Sequence, residues 1–112
     1  MVKLVILLSP LDTEQVNPNV SYNDMLMQLE AIPTVRRKAV STTWGGPAGI
    51  PFDAIIELYF DHRLALEEAL TTPEGTRAGQ TVLAFAPNAV IFFADVMEES
   101  FDSSDLAPGE MA

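Results

Sequence analysis

The chain has 112 residues, 48% of them hydrophobic, with 16 acids against 6 bases, no cysteine and a formal net charge of −10. That length supports one hydrophobic core and is short for two. The absence of cysteine rules out disulfides, thiolate nucleophiles and Cys-ligated metals, and the acidic balance speaks against nucleic-acid and anionic-membrane partners, which call for clustered positive charge.

Val2 to Leu8 (VKLVILL) is apolar at both alternation phases except at Lys3, the pattern of a strand covered on both faces. It is too short to span a membrane, and with only Lys3 ahead of the apolar run and Pro10 and Asp12 close behind it does not read as a signal peptide. A cytoplasmic location is therefore the default expectation. Ser9 to Val20 reads as a loop punctuated by Pro10, Asn17 and Pro18. Ser21 opens a helix, with Asp24 three residues on in an approximate capping box and Tyr22, Met25, Leu26, Leu29 and Ile32 along one stripe. Met27 lies off that stripe, a position suited to a partner, and Pro33 closes the helix.

Val35 to Trp44 predicts a second strand whose charged and hydroxylic residues suit a sheet edge. The Gly45 to Gly49 connection lacks the lysine and following helix of a phosphate loop and reads as a turn. Phe52 to Phe60 is a third strand rich in β-formers. Asp61 is the expected N-cap of a helix over 61–71, and Thr72 with Pro73 at the first helical position restarts a second helix over 73–86. Ala89 to Met97 is the fourth strand. Glu98, Glu99, Asp102, Asp105 and Glu110 have no basic neighbour in sequence, so residues 1–99 form the expected domain and 100–112 an acidic, solvated tail.

The order βαββαβ predicts an α+β, ferredoxin-like fold: a four-stranded antiparallel sheet with its helices on one face and strands one and three at the centre. Strands one and four then carry large apolar residues on the face the helices cannot reach. A second copy of the sheet is the simplest cover, so the expectation is a homodimer enclosing a barrel-like space.

Alternation along the third strand puts Phe52, Ala54, Ile56, Leu58 and Phe60 toward the helices and Asp53, Ile55, Glu57 and Tyr59 toward that space. A carboxylate at Glu57 needs a partner or a raised pKa there, and Tyr59 can donate to it or to a ligand, which makes these two the candidate catalytic pair. Alternatively, Glu57 and Asp53 form ion pairs with Arg36, Arg37 or Lys38 of the neighbouring strand or of the other subunit. Tyr22, Trp44 and Met25 are candidate walls of a small apolar pocket between sheet and helices, or simply core. His62, the one histidine, is the only imidazole available to a ligand or a proton, and its place at a helix start also suits an ordinary solvated residue. No metal set, dinucleotide loop or nucleophile triad appears, so no cofactor or metal is expected.

Several of these segments resemble the EthD family: Leu58-Tyr59-Phe60-Asp61, the helix carrying Leu66 to Leu70, Thr72-Pro73-Glu74-Gly75, the terminal strand, and the proline turn Ile32-Pro33-Thr34-Val35-Arg36. The similarity spans residues 2 to about 99. It implies a dimeric α+β barrel related to small monooxygenases and muconolactone isomerases. The implied roles are cofactor-independent oxidoreductase chemistry or an auxiliary part in degrading small organic compounds, with non-catalytic ligand binding or dimeric assembly as the alternative. Many relatives carry a histidine on the first helix, and the comparable turn here offers Met25.

Overall fold

The computed structural model describes residues 1–9 and 21–99. The loop expected between Ser9 and Val20 therefore lies, apart from Ser9, outside the described residues, as does the acidic segment 100–112.

Among the described residues seven elements follow one another: β1 (Val2–Leu8), α1 (Tyr22–Glu30), β2 (Arg37–Thr42), β3 (Ala54–Phe60), α2 (Arg63–Thr71), α3 (Pro73–Phe85) and β4 (Val90–Asp95). The four strands form one antiparallel sheet in the order β2-β3-β1-β4. This is the expected ferredoxin-like arrangement, with β1 and β3 central and the charged β2 at an edge.

Local signals set most boundaries. Ser21 caps α1, its hydroxyl accepting from the Asp24 N–H at 3.0 Å while the Asp24 carboxylate accepts from the Ser21 N–H at 3.3 Å, a reciprocal capping box. Thr72 caps α3 through Gly75 N–H at 3.1 Å, with Pro73 at the first helical position. The start of α2 differs from expectation. Asp61 is drawn away by Arg36, whose guanidinium donates to it at 2.8 and 3.0 Å, and His62 takes the cap instead, its Nδ1 accepting from Ala65 N–H at 3.1 Å. Thr34, after the closing proline, sits at φ +65°, a left-handed conformation costly for a β-branched residue. Its hydroxyl reaches the Ala65 carbonyl at 3.5 Å, tying this turn to α2.

Alternation along the strands separates two faces. Leu4, Ile6, Ile56, Leu58 and Phe60 meet Met25, Leu29, Leu66, Val82 and Phe85 from the helices in one buried core. The opposite face carries Lys3, Val5 and Leu7 of β1, Ile55, Glu57 and Tyr59 of β3, Arg37 and Ala39 of β2, and Val90 and Phe92 of β4. Among the described residues no helix lies on this face, and Phe92 is 43% exposed there. On the helix side, too, the cover runs out at β4: Ile91 and Phe93 are 39% and 57% exposed although both point toward the helices.

Candidate functional site

Two features of the folded chain have the makings of a site, one on each face of the sheet.

On the open face the register sets Lys3 opposite Tyr59 and Val5 opposite Glu57, so Lys3 is the diagonal neighbour of Glu57, within reach of a long side chain. Lys3 Nζ donates to Glu57 Oε2 at 2.6 Å, and the Tyr59 hydroxyl donates to the same oxygen at 3.3 Å. The Arg37 guanidinium stacks 4.0 Å from the centre of the Tyr59 ring, a cation–π contact that helps bury the ring. With side chains only 27% and 19% exposed, Lys3 and Glu57 form a mostly covered ion pair. The hydrogen bond from Lys3 holds the Glu57 carboxyl below its ordinary range, and the same bond raises Lys3 above its own.

Glu57 and Tyr59 thus meet, as expected of a candidate pair, while the basic run Arg36-Arg37-Lys38 is not what neutralises Glu57. Arg36 pairs with Asp61, Lys38 with Glu30, and Arg37 with Glu98 at 3.6 Å. Glu98, expected to lack a basic neighbour, therefore has one across the sheet. Asp53 precedes β3, is exposed and joins no ion pair among the described residues; its backbone bonds to Leu8 and Thr43 fix the entry to the strand.

The pocket expected from Tyr22, Met25 and Trp44 does not assemble. Met25 is fully buried in the core, and Tyr22 packs beside it with its ring 5.7 Å from that of Phe85. Trp44, in the β2–β3 connection two residues beyond the end of β2 at Thr42, is 94% exposed and walls no pocket with Tyr22 and Met25. His62 is engaged as a helix cap on the exposed rim.

The second feature lies on the helix side, where α3 and β4 part. A groove of about 410 Å³ is floored by Leu4, Ile6 and Leu29, with Gly75, Thr76, Gly79, Gln80 and Leu83 of α3 on one wall and Ile91 and Phe93 of β4 on the other. Its size falls in the range of small-molecule sites. Among the described residues no lining side chain is ionisable; Thr76 and Gln80, one turn apart, supply the polar side-chain groups. A smaller recess of about 260 Å³ adjoins it near Val2 and Leu66, bordered by the two-pronged pair of Arg63 with Asp95. Among the described residues no group of three histidine or acidic side chains is arranged to hold a metal, and no helix is long and apolar enough to cross a membrane.

Sequence reasoning missed Lys3 and the α3 wall. The first was legible only as a charge in an apolar strand. The second had a signal: residues 75, 76, 79, 80 and 83 repeat at helical spacing and are small or neutral, unlike a packing stripe.

No family model and no curated protein matches the chain. Solved structures do. An EthD family protein from Bacillus halodurans C-125 is 27% identical and superposes with a TM-score of 0.77 over 87% of this chain and 99% of that one. A dimeric ferredoxin-like protein of unknown function from Jannaschia sp. CCS1 is 13% identical, TM-score 0.64, over 85% and 98% of the two chains. SnoaB, a cofactor-independent oxygenase from Streptomyces nogalater, is 11% identical, TM-score 0.60, over 88% and 94%. The last two are likenesses of fold alone. The chain is thus similar in structure to an EthD family protein, the family its sequence segments resemble, and has a ferredoxin-like α+β fold.

Proposed function

We propose that this chain is a small-molecule-binding protein that works as a homodimer joined across the open sheet face, each protomer holding a neutral, mainly apolar organic molecule in the groove between α3 and β4. The observation that carries the reading is the lining of that groove by the described residues: aliphatic and aromatic walls, two neutral polar side chains and no charge. Such a lining rewards burial of apolar surface and penalises a charged ligand left without a partner. Dimerisation is supported by Phe92 and Val90, exposed beside Val5 and Leu7 on a face that no helix of the described residues covers, and by the dimeric state of the Jannaschia protein of the same fold. Kinship to EthD proteins favours an auxiliary part in the handling or degradation of small organic compounds.

Glu57 and Tyr59 support a second, catalytic reading, in which the closed dimer face is a reaction space and the protein a cofactor-independent oxidoreductase like its neighbour SnoaB. Its specific support is that Tyr59 already donates to Glu57. Against it, Glu57 is committed to Lys3 and stays ionised with a lowered pKa, which makes it a weak base and no acid near neutral pH.

Titration with the neutral apolar dye N-phenyl-1-naphthylamine, followed by fluorescence and by methyl NMR, separates the readings. Binding with shifts at Ile91 and Leu83, lost in Ile91→Glu, supports the groove. Shifts confined to Val5 and Val90, or no binding at all, would defeat it.

A further inference from the structure

One residue of the groove has no structural reason to be what it is. Gly79 stands in the middle of α3, where glycine weakens a helix relative to alanine because it leaves the backbone more freedom to lose on folding. Close packing does not require it: a Cβ built there meets no atom within 4 Å. Nor does the backbone, which is not in the left-handed region that favours glycine. Gly75, one turn earlier, is the opposite case, with its Cβ position 2.2 Å from the Ala69 carbonyl oxygen, so the contact with α2 demands glycine.

The space a side chain at 79 would fill belongs to the groove. Thr76, Gln80 and Leu83 of α3 and Ile91 and Phe93 of β4 line the same groove as Gly79. We propose that Gly79 is the specificity-determining position of this site: its missing side chain keeps the groove open, so that the apolar body of a neutral ligand lies against the bare helix backbone while Thr76 and Gln80 take a single hydrogen-bonding head group. The ligand class is then a neutral molecule with an extended apolar body and one uncharged oxygen or nitrogen function. A residue larger than alanine at 79 shortens the groove and selects smaller ligands. This inference rests on the binding reading above.

The test uses the full chain, wild type, Gly79→Ala and Gly79→Leu, with N-phenyl-1-naphthylamine and a displacement series of primary alcohols from butanol to decanol. Gly79→Ala is expected to melt about 3–5 °C higher than wild type, as a helix-propensity gain in open space requires. Gly79→Leu is expected to fold equally well, to lose at least tenfold in dye affinity, and to lose octanol and decanol before butanol. If wild type binds the dye and Gly79→Leu, folded, binds dye and long alcohols as well as wild type does, the role of Gly79 is overturned while the groove stands. If wild type binds neither dye nor alcohols, both fall.

Discussion

Alanine at position 75 gives the sharpest test of how the helices are packed. At Gly75 the added methyl carbon would lie 2.2 Å from the Ala69 carbonyl oxygen and 2.8 Å from the Leu70 Cα. Both are backbone atoms, in the last turn of α2, and cannot swing aside as a side chain would. Relief needs α3 to move about 1 Å from α2, which puts the cost near the upper end for overpacking, about 3 kcal/mol. Alanine's helix propensity returns about 1 kcal/mol, so Gly75→Ala is expected to destabilise by about 2 kcal/mol. The identical substitution at Gly79, four residues along the same helix, meets nothing and is expected to stabilise by about 1 kcal/mol. For a domain of this size the first lowers the melting temperature by roughly 6–10 °C. Thermal unfolding by circular dichroism of the two variants side by side is the assay, since helix propensity is common to both and cancels in the comparison. A Gly75→Ala protein as stable as Gly79→Ala would show that α2 and α3 do not approach as described and would refute the reasoning.

Three further outcomes follow from named contacts. The Lys3–Glu57 pair has a lowered carboxyl and a raised ammonium, so its contribution is present in full between their ordinary values of 4.5 and 10.5 and is lost as pH falls through the lowered Glu57 pKa or rises through the raised Lys3 pKa. Urea unfolding should therefore show Glu57→Gln less stable than wild type by about 1–3 kcal/mol at pH 7, with the difference vanishing in acid; a constant difference down to pH 2 would rule out the pair as its source. His62→Ala is expected to cost about 0.5–1 kcal/mol through the lost cap of α2 and His62→Asn to recover most of it, whereas equal stability of all three proteins would show the imidazole is no cap. Phe92→Glu sets a charge on the β4 edge of the open face and should convert a dimer into a monomer in sedimentation velocity; a monomeric wild type, or a variant still dimeric, would place the interface elsewhere or nowhere.

The fate of individual residues shows where reading a sequence reaches its limit. Asp61 and His62 are both able to cap α2, and nothing within a few residues chooses between them; the choice is made by Arg36, 25 positions away, which claims Asp61. Glu57 is recognisable as a carboxylate on the side of β3 away from the helices, and a need for a cation follows. Which cation answers depends on the pairing of β1 with β3, and it is Lys3 from the far end of the sequence and not the nearby basic run. Trp44 looks like a pocket wall until the strand ends two residues short of it.

By itself the sequence determined the elements and their order, from Val2–Leu8 through the Ser21–Asp24 capping box to the restart at Thr72-Pro73, because caps, periodicity and proline act between residues a few positions apart. Alternation in β3 and the apolar runs of β1 and β4 likewise determined a one-sided ferredoxin-like sheet. Only the tertiary structure decided the site. The groove exists because α3 stops short of β4, and Gly79 matters because of the empty space opposite it; both are relations between segments distant in sequence, set by packing and carried by no local pattern.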